Sequence, residues 1–170
     1  RSVCLKDPAP PSAPLSSPGF PPSPPNPSGV RAHTFSSATL TKVTLNGVEM
    51  SEGAWNAAIA GHFNVPVVMA SGDDAAVAEI RKIVGNIEGV ETKKTLGFHS
   101  ALTLTPQAVQ AMIGPAVKAG LARRATLSPY KPQGPIVVDV TFKHHPPAGV
   151  LGHLPVVARP RAAPIRSLLP

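Results

Sequence analysis

The sequence predicts an α/β fold: a partial α/β(α) sandwich of short strands and helices, behind a disordered Pro-rich N-terminal tail. Three observations predict it. Strand-like and helix-like apolar patterns alternate along residues 30–157. The run VPVVMAS (65–71) is continuously apolar, as in a buried strand of a parallel sheet. The apolar content, 42% of the chain, is mostly Ala, Val, Leu and Ile with only 4% aromatic, which suits close packing of helices on a sheet. A length of 170 residues fits one domain or part of one.

Residues 1–29 hold ten of the 22 prolines. Proline removes backbone donors and forbids helix interiors, so this tail reads as extended or disordered. From about Val30 the pattern becomes globular. VRAHTFSSATLTKVTLNGVEM predicts one or two strands closed by a turn at Asn46-Gly47. Ser51 can cap a helix over roughly 52–63. After the 65–71 strand, Asp73 or Asp74 caps a second helix that ends near Val84. VETKKTL (90–96) predicts a strand. Thr105-Pro106 opens a third helix, which runs to about Arg124 with Pro at its first position. PIVVDVTF (135–142) alternates as a strand, and PPAGVLGHL predicts a short last helix. Residues 158–170 read as a Pro/Arg-rich tail.

Charge and cysteine narrow the function classes. The net charge is +7, which invites a nucleic-acid reading. The excess sits toward the ends, at Arg123, Arg124, Arg159, Arg161 and Arg166, while residues 33–118 are close to neutral. With so few aromatics, nucleic acid is a poor fit. Cys4 is the single cysteine, so no intrachain disulfide forms and a reducing, cytoplasmic compartment is expected. No apolar run reaches the roughly 18 residues of a membrane span. The opening RSVCLKD has no apolar core of a signal peptide, and it lacks an initiating Met, so the chain reads as a fragment.

One residue stands out. Glu52 opens an otherwise apolar helix. At about 100° per residue, Ile59, Glu52, Phe63 and Asn56 share one roughly 60° arc, with Trp55 beside it. Ala54, Ala57, Ala58 and Gly61 form the opposite face, where small side chains admit another backbone. A buried carboxylate needs a partner. Glu52 can stabilise its own helix start, form an ion pair, or serve as a metal ligand or general base in a cleft. Asn56, one turn on, is placed to support it.

The stretch LNGVEMSEGAWNAAIAGHFNVPVVMASGDDAA (45–76) resembles the zinc-dependent D-aminopeptidase family of bacterial dipeptide-transport operons. The matching residues are Ser51-Glu52, Asn56-Ala57, Ala60-Gly61, Val65-Pro66-Val67 and Gly72-Asp73-Asp74, and a weaker likeness spans roughly 33–157. The resemblance implies that Glu52 is a zinc ligand and that His33, in Ala32-His33-Thr34, occupies the catalytic position. Without it, His33 would read as a histidine at a strand edge. It also implies two zinc ions in an intact site, short D-amino-acid-containing peptides as substrates, and assembly into a homo-oligomer. Zinc accepts carboxylate oxygen and imidazole nitrogen, and a nearby histidine can pass a proton to a leaving amine.

The sequence departs from that pattern. The family's Asp-x-Glu strand, Asn-Asp-Ser-His turn and Gly-Tyr-His strand have no counterpart here. Before His33 the chain has one acid, Asp7, and no histidine. His62, His99, the His144-His145 pair and His153 show no metal-ligand spacing. The expectation is a truncated family member that lacks most metal ligands. The alternative is a non-catalytic oligomerisation or interaction module of the same descent.

Overall fold

The computed structural model describes residues 15–24, 26–155, 157–158 and 165–169. Two strands, β1 (Leu15–Phe20) and β2 (Leu40–Leu45), flank a long loop. After β3 (Val48–Glu49) come α1 (Glu52–His62), β4 (Val67–Asp73) and α2 (Asp74–Val84). The hairpin β5 (Glu88–Gly97) and β6 (Ser100–Thr103) leads to α3 (Pro106–Ala122). The chain ends with β7 (Ile136–Phe142), α4 (His145–Leu151), β8 (Val157–Ala158) and β9 (Ile165–Leu169).

The strands form two sheets. One runs β1-β4-β5-β6, parallel across β1, β4 and β5, with β6 antiparallel at the edge. The other runs β3-β2-β7-β9-β8 and is antiparallel throughout. The local signals explain the elements. Asn46 and Gly47 both have positive φ, 51° and 80°, the conformation a two-residue hairpin turn demands. Ser51 Oγ accepts from Ala54 N at 3.3 Å and starts α1. Thr105 Oγ1 accepts from Ala108 N at 3.3 Å and starts α3, with Pro106 at its first position. All seven residues of β4 are buried, as its continuous apolar run requires.

The core joins the sheets through α1. Leu45, Met50, Ala54, Ala57, Val67, Ala70, Ile80 and Ile87 pack in one cluster. The small-residue face of α1 accepts a backbone: a Cβ on Gly61 would lie 1.8 Å from Tyr130 O. On α3, a Cβ on Gly120 would lie 2.5 Å from Val68 O, so α3 approaches β4 at that point.

Strands β1, β6, β8 and β9 depart from the sequence expectation. The segment 1–29, expected as a disordered tail, divides. Residues 1–14 lie outside the described residues, whereas Leu15–Phe20 pairs in parallel with β4. The buried β4 has backbone groups to satisfy on both edges, and β1 satisfies one of them; as an edge strand it tolerates Pro18. The expected 158–170 tail contains β9, which pairs with β7 from Ile136↔Leu169 to Val140↔Ile165. β6 folds back on β5 through a turn at Phe98-His99, where the sequence reading placed no strand between 96 and the third helix. In each case a neighbouring strand edge recruits a segment whose own pattern is weak.

Candidate active site around Glu52 and His33

Glu52 is the first residue of α1 and is 4% exposed. The partner observed for it is a backbone amide from a distant loop, outside the three roles weighed for it. Glu52 Oε1 accepts from Phe35 N at 3.2 Å. The capping role falls to Ser51, and no ion pair to Glu52 is found among the described residues. Asn56, one turn on, is equally buried. Trp55 lies beside them and meets Phe35 edge-to-face, with ring centroids 5.7 Å apart.

His33 sits half-buried on the loop between β1 and β2. Its amide donates to Pro22 O at 3.0 Å. Its Nδ1 lies 2.7 Å from Arg31 O. A carbonyl oxygen only accepts, so Nδ1 carries the proton and Nε2 of the neutral ring keeps its lone pair. Thr34, fully buried, donates through Oγ1 to Met50 O at 2.8 Å. Arg31 and Phe35, which bracket His33, hold φ of 50° and 61°, a left-handed backbone that side-chain-bearing residues rarely adopt. The Glu52–Phe35 hydrogen bond thus ties the start of α1 to the loop two residues beyond His33.

The neighbouring acids, which the sequence offered only as cap alternatives, divide their work. Asp73 caps α2 through Oδ1, accepting from Ala76 N at 2.7 Å, and its Oδ2 accepts from Val30 N at 2.8 Å. Asp74 Oδ1 accepts from Thr95 N at 3.1 Å and Thr95 Oγ1 at 2.9 Å. Burial pushes the Asp74 carboxyl upward, but the Thr95 and backbone hydrogen bonds outweigh it and hold the group below its ordinary value. Glu79, which no sequence signal singled out, binds Ser23 and Asn26 of the His33 loop.

A zinc site needs three or four converging donors. Among the described residues, no group of three or more His, Cys, Asp or Glu side chains converges. Glu52 offers one carboxylate, with Oε1 already engaged, and so does not by itself fit a metal pair. The other histidines lie elsewhere. His62 is exposed and stacks edge-on with Phe63, His99 does the same with Phe98, and His144, His145 and His153 are exposed near α4. Beyond Trp55 opens a cleft of about 540 Å³ lined by Leu45, Trp55, Ile59, His62, Lys131 and Ile136.

Comparisons with known proteins bear on this geometry. A family model described as D-aminopeptidase matches residues 23–167. The D-aminopeptidase of Bacillus subtilis (strain 168) is 25% identical over 101 residues, which are 59% of this chain and 37% of that protein. A solved structure, the Zn-dependent D-aminopeptidase DppA from Bacillus subtilis, described as a self-compartmentalizing protease, aligns with a TM-score of 0.83 at 21% identity. That alignment covers 88% of this chain and 54% of the solved one, and at this identity it establishes the shared fold. The chain spans about half the length of that structure and little more than a third of the curated relative.

Proposed function

We propose, because this chain belongs to the D-aminopeptidase family, that it carries the Glu52–His33 portion of a hydrolase site. The reaction is removal of N-terminal D-amino acids from short peptides. The observation that carries the reading is the Glu52–Phe35 hydrogen bond at 3.2 Å. It links the start of α1, which carries Glu52, to the backbone two residues beyond His33, which supports reading the two motif residues together. His33, with Nδ1–H on Arg31 O, presents Nε2 to take a proton from the attacking water and pass it on to the leaving amine. Glu52 is the metal ligand of the reading and Asn56 its buried support.

The zinc requirement follows the family. The other ligand motifs of the resemblance have no counterpart in this sequence, so the chain is proposed to lack most of a zinc-binding set. Its turnover alone is expected to be weak. Release of D-alanine from D-Ala-D-Ala, with added zinc, tests this. Trace or no turnover is expected, and any trace is lost in Glu52→Ala. Robust zinc-dependent turnover overturns the claim of incompleteness, and turnover indifferent to Glu52→Ala removes that residue from the site. A cytoplasmic location fits the single cysteine. Among the described residues, no helix is long and apolar enough to cross a membrane.

One observation favours a second reading, a non-catalytic oligomerisation module. Leu96, Phe98, Leu102, Leu104 and Met112 are exposed along the β5–β6 hairpin, its link to α3, and α3. Sedimentation of the metal-free chain separates the two. A folded multimer without zinc supports the module, and a monomer sinks it.

A further inference from the structure

The loop that carries His33 is held by carboxylates from three different places. Glu79 on α2 accepts from Ser23 N at 2.9 Å, Ser23 Oγ at 3.0 Å and Asn26 Nδ2 at 2.5 Å. Asp73, at the start of α2, accepts from Val30 N at 2.8 Å. Glu52, at the start of α1, accepts from Phe35 N at 3.2 Å. Among the described residues of 23–35 no strand ladder forms, so these oxygens take backbone donors that a strand partner would otherwise satisfy.

One peptide links Glu79 to His33. The Pro22–Ser23 peptide is planar, so its carbonyl and its amide move together. The amide side is bound by Glu79, and the carbonyl side accepts from His33 N at 3.0 Å. Releasing Ser23 therefore frees the acceptor that orients the His33 backbone. The strained φ at Arg31 and Phe35 on either side of His33 shows that surrounding contacts hold this turn against local preference.

We infer that Glu79 is a positioning residue for His33, acting through the Pro22–Ser23 peptide, with Asp73 as the second clamp. The inference rests on the reading of His33 as the proton-transfer group, but its primary test does not need turnover. A carboxylate offers two acceptor oxygens to three donors, whereas glutamine offers one oxygen and a competing NH₂. In the full chain, Glu79→Gln should speed amide exchange at Ser23 and His33 about tenfold, as expected for a weakened charge-assisted bond. Exchange at Met69 in β4 should stay unchanged. The ¹⁵N shifts of the His33 imidazole should move away from the single Nδ1–H tautomer. Ser23→Ala, which removes one donor and leaves α2 untouched, should shift the same signals less, and it decides the matter if Glu79→Gln does not fold. A faster Ser23 amide with an unmoved His33 amide and imidazole overturns the inference. Where turnover is measurable, Glu79→Gln lowers kcat with KM unchanged. A wild-type chain without turnover bears on the hydrolase reading alone, because exchange and tautomer still decide the clamp.

Discussion

The α1–β4–α2 region and the β5–β6–α3 wing are built from similar residues yet stand at opposite extremes of burial. Seven of the eleven residues of α1 and all seven of β4 are buried. In α3, with seventeen residues, only Gly120 is buried. Leu96 and Leu102 on the hairpin are 70% and 67% exposed. The first region holds most of the core, and the candidate site residues Glu52 and Asn56 are buried in it. The wing displays apolar side chains that its own chain leaves uncovered, the surface character of a contact region. The chain keeps its dense packing where side chains must be aimed.

That contrast can be broken most directly from the core side. Met69 is fully buried in β4, so Met69→Ala should lower unfolding free energy by about 2–5 kcal/mol, read from urea melts. Gly61→Ala comes next. Its Cβ would meet Tyr130 O at 1.8 Å, which forces α1 and the Tyr130 backbone apart. An overpacking cost of about 1–3 kcal/mol is expected in the same melts, and a neutral result would show that the 130 segment yields freely.

Asp73 sits where the core meets the His33 loop. Asp73→Ala removes both the α2 cap and the Val30 contact and should cost about 1–2 kcal/mol. Faster exchange at the Val30 amide would accompany it. Asp74 gives a pH signature. Its folded pKa is depressed, so its contribution is present above the unfolded value of 3.8 and is lost as pH falls through the lower folded value. Asp74→Asn should flatten the fall of stability in that acid range, and an unchanged slope would assign the fall to other carboxylates. The smallest effect belongs to the wing. Leu102→Ser should change stability by no more than about 0.5 kcal/mol while reducing self-association in sedimentation. A large loss of stability would show that the wing is packed after all.

Much of this was legible beforehand, and the residues show why. Ser51, Thr105-Pro106 and Asn46-Gly47 are local signals whose physics acts within a few residues, and each element began where its signal stood. Glu52 and Asn56 were marked by an acid and an amide on an apolar helix face; both are buried, while the large residues of that face, Trp55 and Ile59, are half-buried and Phe63 is exposed. β1, β6 and β9 were not legible. Leu15–Phe20 reads as part of a proline-rich tail, and it is a strand only because β4 presents an edge 52 residues away. The clamp was hidden for the same reason. Glu79 is 56 residues from Ser23, and Asp73 is 43 from Val30. A carboxylate on an amphipathic helix carries no local sign that it will receive a distant backbone amide.

The sequence by itself determined the α/β class, the helix starts, the buried central strand and the place of Glu52 and Asn56 on α1, because caps, turns and periodicity are short-range; His33 was marked by the family resemblance alone. Only the tertiary structure decided which segments complete the sheets, which tautomer of His33 the Arg31 carbonyl selects, and which acids hold its loop. Those outcomes depend on hydrogen-bonding groups that must be satisfied wherever they are buried, and the partner that satisfies them is chosen by proximity in space.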